Sequence, residues 1–108
     1  MSKKAVKNTK AVDVKIETGK ERYVFRLFVT GILPHSIRAV ANSKTIFEKY
    51  LKDRYELEII DIYQQPAVAL AEEIIAIPTL VKRFPLPEER VIGDLSDIDQ
   101  VIKELHII

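Results

Sequence analysis

The run Tyr23-Val24-Phe25-Arg26-Leu27-Phe28-Val29 constrains this chain more than any other segment. It is apolar except for Arg26, rich in β-branched and aromatic side chains, and punctuated by Thr30-Gly31. It reads as a strand, and the lack of polar alternation demands cover on both faces, as for a central strand between layers of helix. The residues after Gly31 supply that cover. Pro34 and Ser36 provide helix-start chemistry, with Ser36 expected to accept from free amides of the first turn. From Ile37, the residues Val40, Ala41, Phe47, Tyr50 and Leu51 recur at spacings of three and four, interrupted by Lys44. That stripe predicts a helix of about four turns. Tyr55-Glu56-Leu57-Glu58-Ile59 then alternates and runs into Ile60-Asp61-Ile62, a second strand. Strand, helix and strand with short links form a βαβ unit, whose right-handed crossover makes the two strands parallel.

The second half is shorter in stride. Pro66 opens a short helix over Ala67-Val68-Ala69-Leu70-Ala71-Glu72-Glu73. Ile77 to Phe84 predicts a third strand, broken by Pro85-Leu86-Pro87-Glu88-Glu89, and Arg90-Val91-Ile92 a fourth that ends at Gly93-Asp94. So short a link implies an antiparallel hairpin. Ser96 with Asp99 resembles a capping box, and Ile98, Val101, Ile102 and Leu105 form the stripe of a last helix. His106 is expected to support that helix's last carbonyls. The order βαβ–α–ββα matches a thioredoxin-like α/β fold: a four-stranded mixed sheet with helices on both faces.

A chain of 108 residues and 12.4 kDa builds one domain. Residues 1–21 separate from it by composition: Lys3, Lys4, Lys7 and Lys10 occur without an acidic residue among the first ten. This reads as a basic, flexible N-terminal extension, with residues 22–108 forming the domain. Within the extension, Val12, Val14 and Ile16 alternate with Asp13 and Lys15, a weak signal for an edge strand. Seventeen Lys+Arg against sixteen Asp+Glu give a net charge of +1, which points to neither nucleic acid nor an anionic membrane. No apolar run approaches the roughly 20 residues that span a bilayer, and no secretory h-region is visible, so a cytoplasmic location is expected.

The absence of cysteine excludes disulfides, thiolate zinc sites, iron–sulfur clusters and dithiol chemistry. A thioredoxin-like redox enzyme keeps Cys-x-x-Cys where the first strand meets the first helix; here Leu33 and Ser36 hold those two positions. Ser36 is either a helix cap or, as in serine-type glutathione transferases, an activator of glutathione. His35 beside Ser36 forms no nucleophile–base pair, because neighbouring helical positions diverge. His35 and His106 lie too far apart in sequence for an evident metal site, and Gly19, Gly31 and Gly93 make no phosphate loop. Glu72-Glu73 and Glu88-Glu89 are adjacent pairs that diverge as solvated surface. No cofactor is expected. Pro78, at the start of the third strand, is expected to be cis; it is open whether it forms a ligand-receiving edge or only a conformational fixture.

Leu27-Phe28-Val29-Thr30-Gly31-Ile32-Leu33-Pro34-His35-Ser36-Ile37-Arg38-Ala39 resembles the L-Y-V-A-G-x-T-P-x-S-x-R-A segment of the KaiB family of circadian-clock proteins. Ile59-Ile60-Asp61-Ile62 is similar to its V-I-D-V, and Gln65-Pro66 with Ala76-Ile77-Pro78-Thr79-Leu80-Val81-Lys82 to its N-P…A-T-P-T-L-x-K. Arg90-Val91-Ile92-Gly93-Asp94-Leu95-Ser96 follows R-I-I-G-D-L-S. The resemblance runs without gaps from Tyr23 to Ile108. It implies a non-catalytic interaction module that docks to a KaiC-type ATPase, in circadian-type timing or in stress adaptation. The family also occurs as N-terminal sensor domains of histidine kinases. By carry-over, Tyr23, Arg38, Lys82 and Arg90 match family positions in or near partner surfaces or at structural positions, with Lys82 and Arg38 expected to supply charge. Pro78, Pro85, Pro87 and Gly93 match the segment in which the family switches between the thioredoxin-like form and a tetrameric alternative fold.

The departures are specific. Glu72-Glu73 replaces a family Asp-Lys pair, and Glu88-Glu89-Arg90 replaces Val-Arg-Arg. Both reversals are expected to weaken complementarity with the usual partner. Leu86 replaces a proline. Glu104 replaces a glycine, which costs about 1 kcal/mol inside a helix, and His106 replaces an aspartate. Glu104 is expected to favour the thioredoxin-like form. A sheet edge and an apolar face would allow a homodimer or tetramer, between which the residues do not choose.

Overall fold

The computed structural model describes residues 21–107. The basic stretch and the weak strand signal at Val12, Val14 and Ile16 lie outside the described residues.

The apolar run forms β1 (Tyr23–Val29), followed by α1 (Pro34–Tyr50) and β2 (Tyr55–Asp61). Then come α2 (Pro66–Ala71), β3 (Thr79–Phe84), β4 (Glu89–Ile92) and α3 (Ile98–Glu104). The sheet order is β2-β1-β3-β4, with β1 and β2 parallel and the β1/β3 and β3/β4 pairs antiparallel. The βαβ unit and the hairpin are as the sequence predicts. β1 is central, which is why it tolerates no polar alternation.

Period-two alternation divides the sheet's faces. Tyr23, Phe25, Leu27 and Val29 point to one side and join Ala39, Ile46 and Phe47 of α1 and Val101 and Ile102 of α3 in the larger core. Phe25 stacks on Phe47 at 4.0 Å between ring centroids, flanked by Tyr23 and Tyr55. On the opposite face Phe28, Ile60 and Val81 form a small cluster under Val68, Ala69, Ile74 and Ile77. Helices therefore cover both faces, but α2 covers its side thinly.

Three local expectations are corrected. Pro34 is the first residue of α1 and Leu33 its cap, with no side-chain cap bond. Ser36 thus lies inside the first turn, and its Oγ accepts from the Thr30 amide at 3.0 Å, serving the end of β1. The buried stripe of α1 runs through Ser36, Ala39, Ser43, Ile46 and Phe47, while Ala41 is exposed. Ser43 can be buried because its hydroxyl donates back to the Val40 carbonyl at 2.9 Å. At α3 the cap is Asp97, which accepts from the Gln100 amide, and not Ser96. Asp94 accepts the Ser96 amide in the turn before it.

The end of α3 also differs. His106 adopts a left-handed conformation (φ 54°), its amide donates to Lys103 and the Ile107 amide to Ile102. Those two bonds make a Schellman cap. The backbone of His106, not its ring, serves the last carbonyls.

Candidate docking surface

The junction of β1 and α1 is where a thioredoxin-like domain would carry its chemistry. Gly31 donates its amide to Asp61 Oδ2 at 3.1 Å, and a Cβ at that position would stand 3.0 Å from the same oxygen. Asp61 Oδ1 takes the Tyr63 amide at 2.8 Å. One carboxylate at the end of β2 therefore fixes the loops entering both α1 and α2. The loop so held presents Ile32 (85% exposed), Leu33, Ile37 and Tyr63 to solvent. Ser36 is 1% exposed and its oxygen is engaged by Thr30. The rim is apolar, and the only hydroxyl at the old cysteine positions faces inward. Below it an apolar cleft of about 460 Å³ runs between Val29 and Gly31 and the α1 residues Ile37, Val40, Ala41 and Lys44.

Of the residues carried over as partner contacts, two are exposed and two are not. Arg38 is on the surface, where its Nε pairs with Asp94 Oδ2 at 3.0 Å. The Arg38 guanidinium and then the Ser96 contacts hold the Asp94 carboxyl below its ordinary value. Arg90 lies across α2, its Nη2 donating to the Glu72 carbonyl at 2.7 Å. Tyr23 instead belongs to the core stack, and burial raises its hydroxyl pKa.

Lys82 corrects the expectation most sharply. It is 2% exposed, and its Nζ reaches Glu89 Oε1 at 2.8 Å and the Leu105 carbonyl at 3.2 Å. An ammonium so placed supplies no charge to a docking surface in this fold; it ties β3 to β4 and to the end of α3. Glu89 Oε2 meets His106 Nδ1 at 2.6 Å, so Glu89 bridges the buried lysine and an exposed histidine. The Lys82 contact is the main reason the Glu89 carboxyl is held below its ordinary value.

The conformational positions cluster around the hairpin. The Ile77–Pro78, Phe84–Pro85 and Leu86–Pro87 peptides are cis, so the cis-proline expected at the third strand is present. Gly93, at φ 124°, donates its amide to the Pro78 carbonyl at 3.0 Å. Pro78 and Gly93, at the start of β3 and the end of β4, are thus held together.

A cluster of arginines on the α2 side of the sheet has no counterpart among the sequence-based expectations. Glu72 Oε2 lies 2.6 Å from Arg83 Nη1 and 3.2 Å from Arg26 Nη1, and Glu72 Oε1 lies 3.8 Å from Arg90 Nη2. Arg26 also pairs with Glu58 at 3.1 Å. The three arginines come from three strands, and their partner caps α2. Glu72 and Glu89 are therefore not solvated repulsive charges, as their adjacency suggested; each is committed to cations of the same domain. No local signal announces this, since Glu72 is separated from Arg83, Arg90 and Arg26 by 11, 18 and 46 residues.

This geometry defines a class: a thioredoxin-like α/β domain with an apolar rim where thiol chemistry would sit. Residues 26–107 match the KaiB domain. The circadian clock oscillator protein KaiB of Gloeothece citriformis is 39% identical over 93 residues, covering 86% of this chain and 88% of that protein. The chain belongs to the KaiB family. Among solved structures, the N-terminal domain of Synechococcus elongatus SasA superposes with a TM-score of 0.65 at 22% identity, over 91% of this chain and 94% of that one. Malassezia sympodialis thioredoxin gives 0.66 at 20% identity, over 84% and 80%. At such identities these two likenesses establish the fold alone.

Proposed function

We propose that this domain acts by binding another protein, without catalysis, and that its partner is a KaiC-type ATPase in circadian-type timing or stress adaptation. KaiB membership supports the reading. The observation that carries it is the β1–α1 junction, where Leu33 and an inward-facing Ser36 replace a nucleophile and Ile32, Leu33 and Ile37 offer apolar contact area. The same observation weighs against a glutathione transferase using Ser36, whose hydroxyl already serves a buried amide. Arg38, half-exposed at the start of α1, is proposed as a contributor to the contact, and Arg90 as a lesser one because α2 holds it. The cytoplasm is the proposed location. The thioredoxin-like arrangement is proposed as the resting form; a solved structure with the second half refolded would overturn that.

The test is size-exclusion chromatography with light scattering of the domain alone and with the KaiC-type ATPase of its own genome, in ATP and in ADP. A nucleotide-dependent complex is expected. Absence of a complex under both nucleotides, from folded protein, removes the ATPase from the reading. The run without partner reads directly whether the domain is a monomer, dimer or tetramer.

A further inference from the structure

Helix α1 carries a second apolar stripe, of which the core uses only the flank of Val40. The buried side of the helix runs through Ser36, Ala39, Ser43, Ile46 and Phe47. Ile37, Val40, Ala41 and Lys44 recur at spacings of three and four along a neighbouring face. With Val29 and Gly31 from the end of β1, that face forms the apolar cleft of about 460 Å³. Ile37 is 56% exposed and Ala41 is exposed as well, so packing of the described residues leaves the stripe uncovered.

The polar groups around this cleft are committed, with one exception. Ser36 Oγ accepts from the Thr30 amide at 3.0 Å, and the Gly31 amide donates to Asp61 Oδ2 at 3.1 Å. Lys44 remains. A glutamate at i+4 can pair with such a lysine, but here Glu48 accepts the Tyr55 hydroxyl at 2.8 Å instead. Among the described residues the Lys44 ammonium has no ion pair and no hydrogen bond. The cleft is thus an apolar trough with one uncommitted cation on its lining, and charge complementarity specifies what fits it.

We infer that this cleft binds an amphipathic monocarboxylate, with an apolar chain laid along α1 and the carboxylate on Lys44. The volume falls within the range of about 300–1,000 Å³ usual for small-molecule sites, whose walls are mostly apolar with a few placed polar groups. From Ile37 to Lys44 the helix rises about 10 Å, close to the length of an extended chain of about eight carbons. A ligand with hydroxyls or amides along its body would bury them without partners, because Ser36 and Gly31 are already engaged. One lysine balances one carboxylate, which sets the head group apart from a nucleotide's several phosphate charges. The site is independent of the ATPase reading, and it stands whether or not a protein docks on the rim above.

The test is amide-resolved NMR titration of the full chain with octanoate. Octyltrimethylammonium supplies the same tail with the opposite charge, and acetate the head without a tail. Octanoate is expected to shift the amides of Ile37, Val40, Ala41 and Lys44 saturably, with an affinity about tenfold or more above either control. Lys44→Glu should reverse the preference, weakening octanoate about tenfold and admitting the cationic probe. Ala41→Phe, at an exposed position on the lining, should fill the cleft and abolish binding of octanoate. The amides of Phe28 and Leu80, in the central strands, report that each variant is folded. Absence of saturable shifts along α1 in the unmodified chain overturns the inference. So does octanoate binding that survives Ala41→Phe, which places the ligand elsewhere, or binding indifferent to Lys44→Glu, which removes the carboxylate contact.

Discussion

Glu72 lies 2.6 Å from Arg83, carboxylate to guanidinium, and so ties the C-terminal end of α2 to β3. The same carboxylate reaches Arg26 on β1, and the Glu72 main chain receives Arg90 from β4. Among the described residues the apolar cluster beneath α2 contains three fully buried ones, so this ionic contact carries a larger share of the fastening there than surface pairs usually do.

Glu72→Gln is expected to cost about 1–2 kcal/mol, more than an isolated surface pair because one carboxylate serves several cations. In thermal unfolding that is a fall of about 4–15 °C for a domain of this size. A double-mutant cycle with Arg83→Gln should return about 0.5–1 kcal/mol of coupling, reduced in high salt because the arginines remain partly exposed.

The two ends of the Lys82–Glu89 pair should respond unequally. Glu89→Ala leaves a buried ammonium with only the Leu105 carbonyl, and should cost about 3 kcal/mol. Lys82→Met removes the buried charge and keeps the volume, but takes the donor from the inner Glu89 oxygen and the Leu105 carbonyl, and should cost about 1–2 kcal/mol. Urea unfolding of both variants checks the asymmetry.

Acid should act through Glu89. Its carboxyl is held low in the folded state, chiefly by Lys82, so the unfolded chain takes up the proton first. The stabilisation is present above the ordinary glutamate value of 4.5 and is lost as pH falls from there through the lowered folded value. Unfolding free energies measured from pH 6 down to pH 3 should therefore decline, with a shallower slope in Lys82→Met. An identical slope in that variant would assign the acid sensitivity to other carboxylates.

Two hydroxyls near the β1–α1 junction should behave oppositely. Ser36→Ala deprives the Thr30 amide of its acceptor and should cost about 1–2 kcal/mol. Thr30 Oγ1 is buried with no hydrogen-bond partner among the described residues, so Thr30→Val should be neutral or stabilising by up to about 1 kcal/mol. Melting temperatures of the two variants test the pair.

Arg38→Ala removes one exposed ion pair and should shift stability by less than about 1 kcal/mol. If Arg38 contributes to the proposed ATPase contact, the same change should weaken complex formation by about tenfold, or 1.4 kcal/mol. Titration by interferometry against the ATPase measures it.

The sequence by itself determined the elements and their order, because the patterns responsible are local. The apolar run of β1, the alternation of β2, Pro66 and the Pro85–Pro87 break each act within a few residues. The family motifs were legible for the same reason: I-G-D-L-S and A-I-P-T-L are contiguous. The tertiary structure alone decided which charges are surface. Lys82 looked like a docking charge on the third strand, and Glu89 and Glu72 like solvated carboxylates of a link and of the short helix. Their roles depend on which strands lie side by side and which face α2 and α3 cover. The Arg26, Arg83 and Glu72 contact needs β1, β3 and α2 in place before any of its members is near another. Ser36 shows the smallest version of the same limit. Its position at a helix start was readable, but Pro34 at the first helical position moved it inside the first turn and handed its hydroxyl to Thr30. Periodicity records which side of an element is apolar; only the packed fold determines which polar group that side meets.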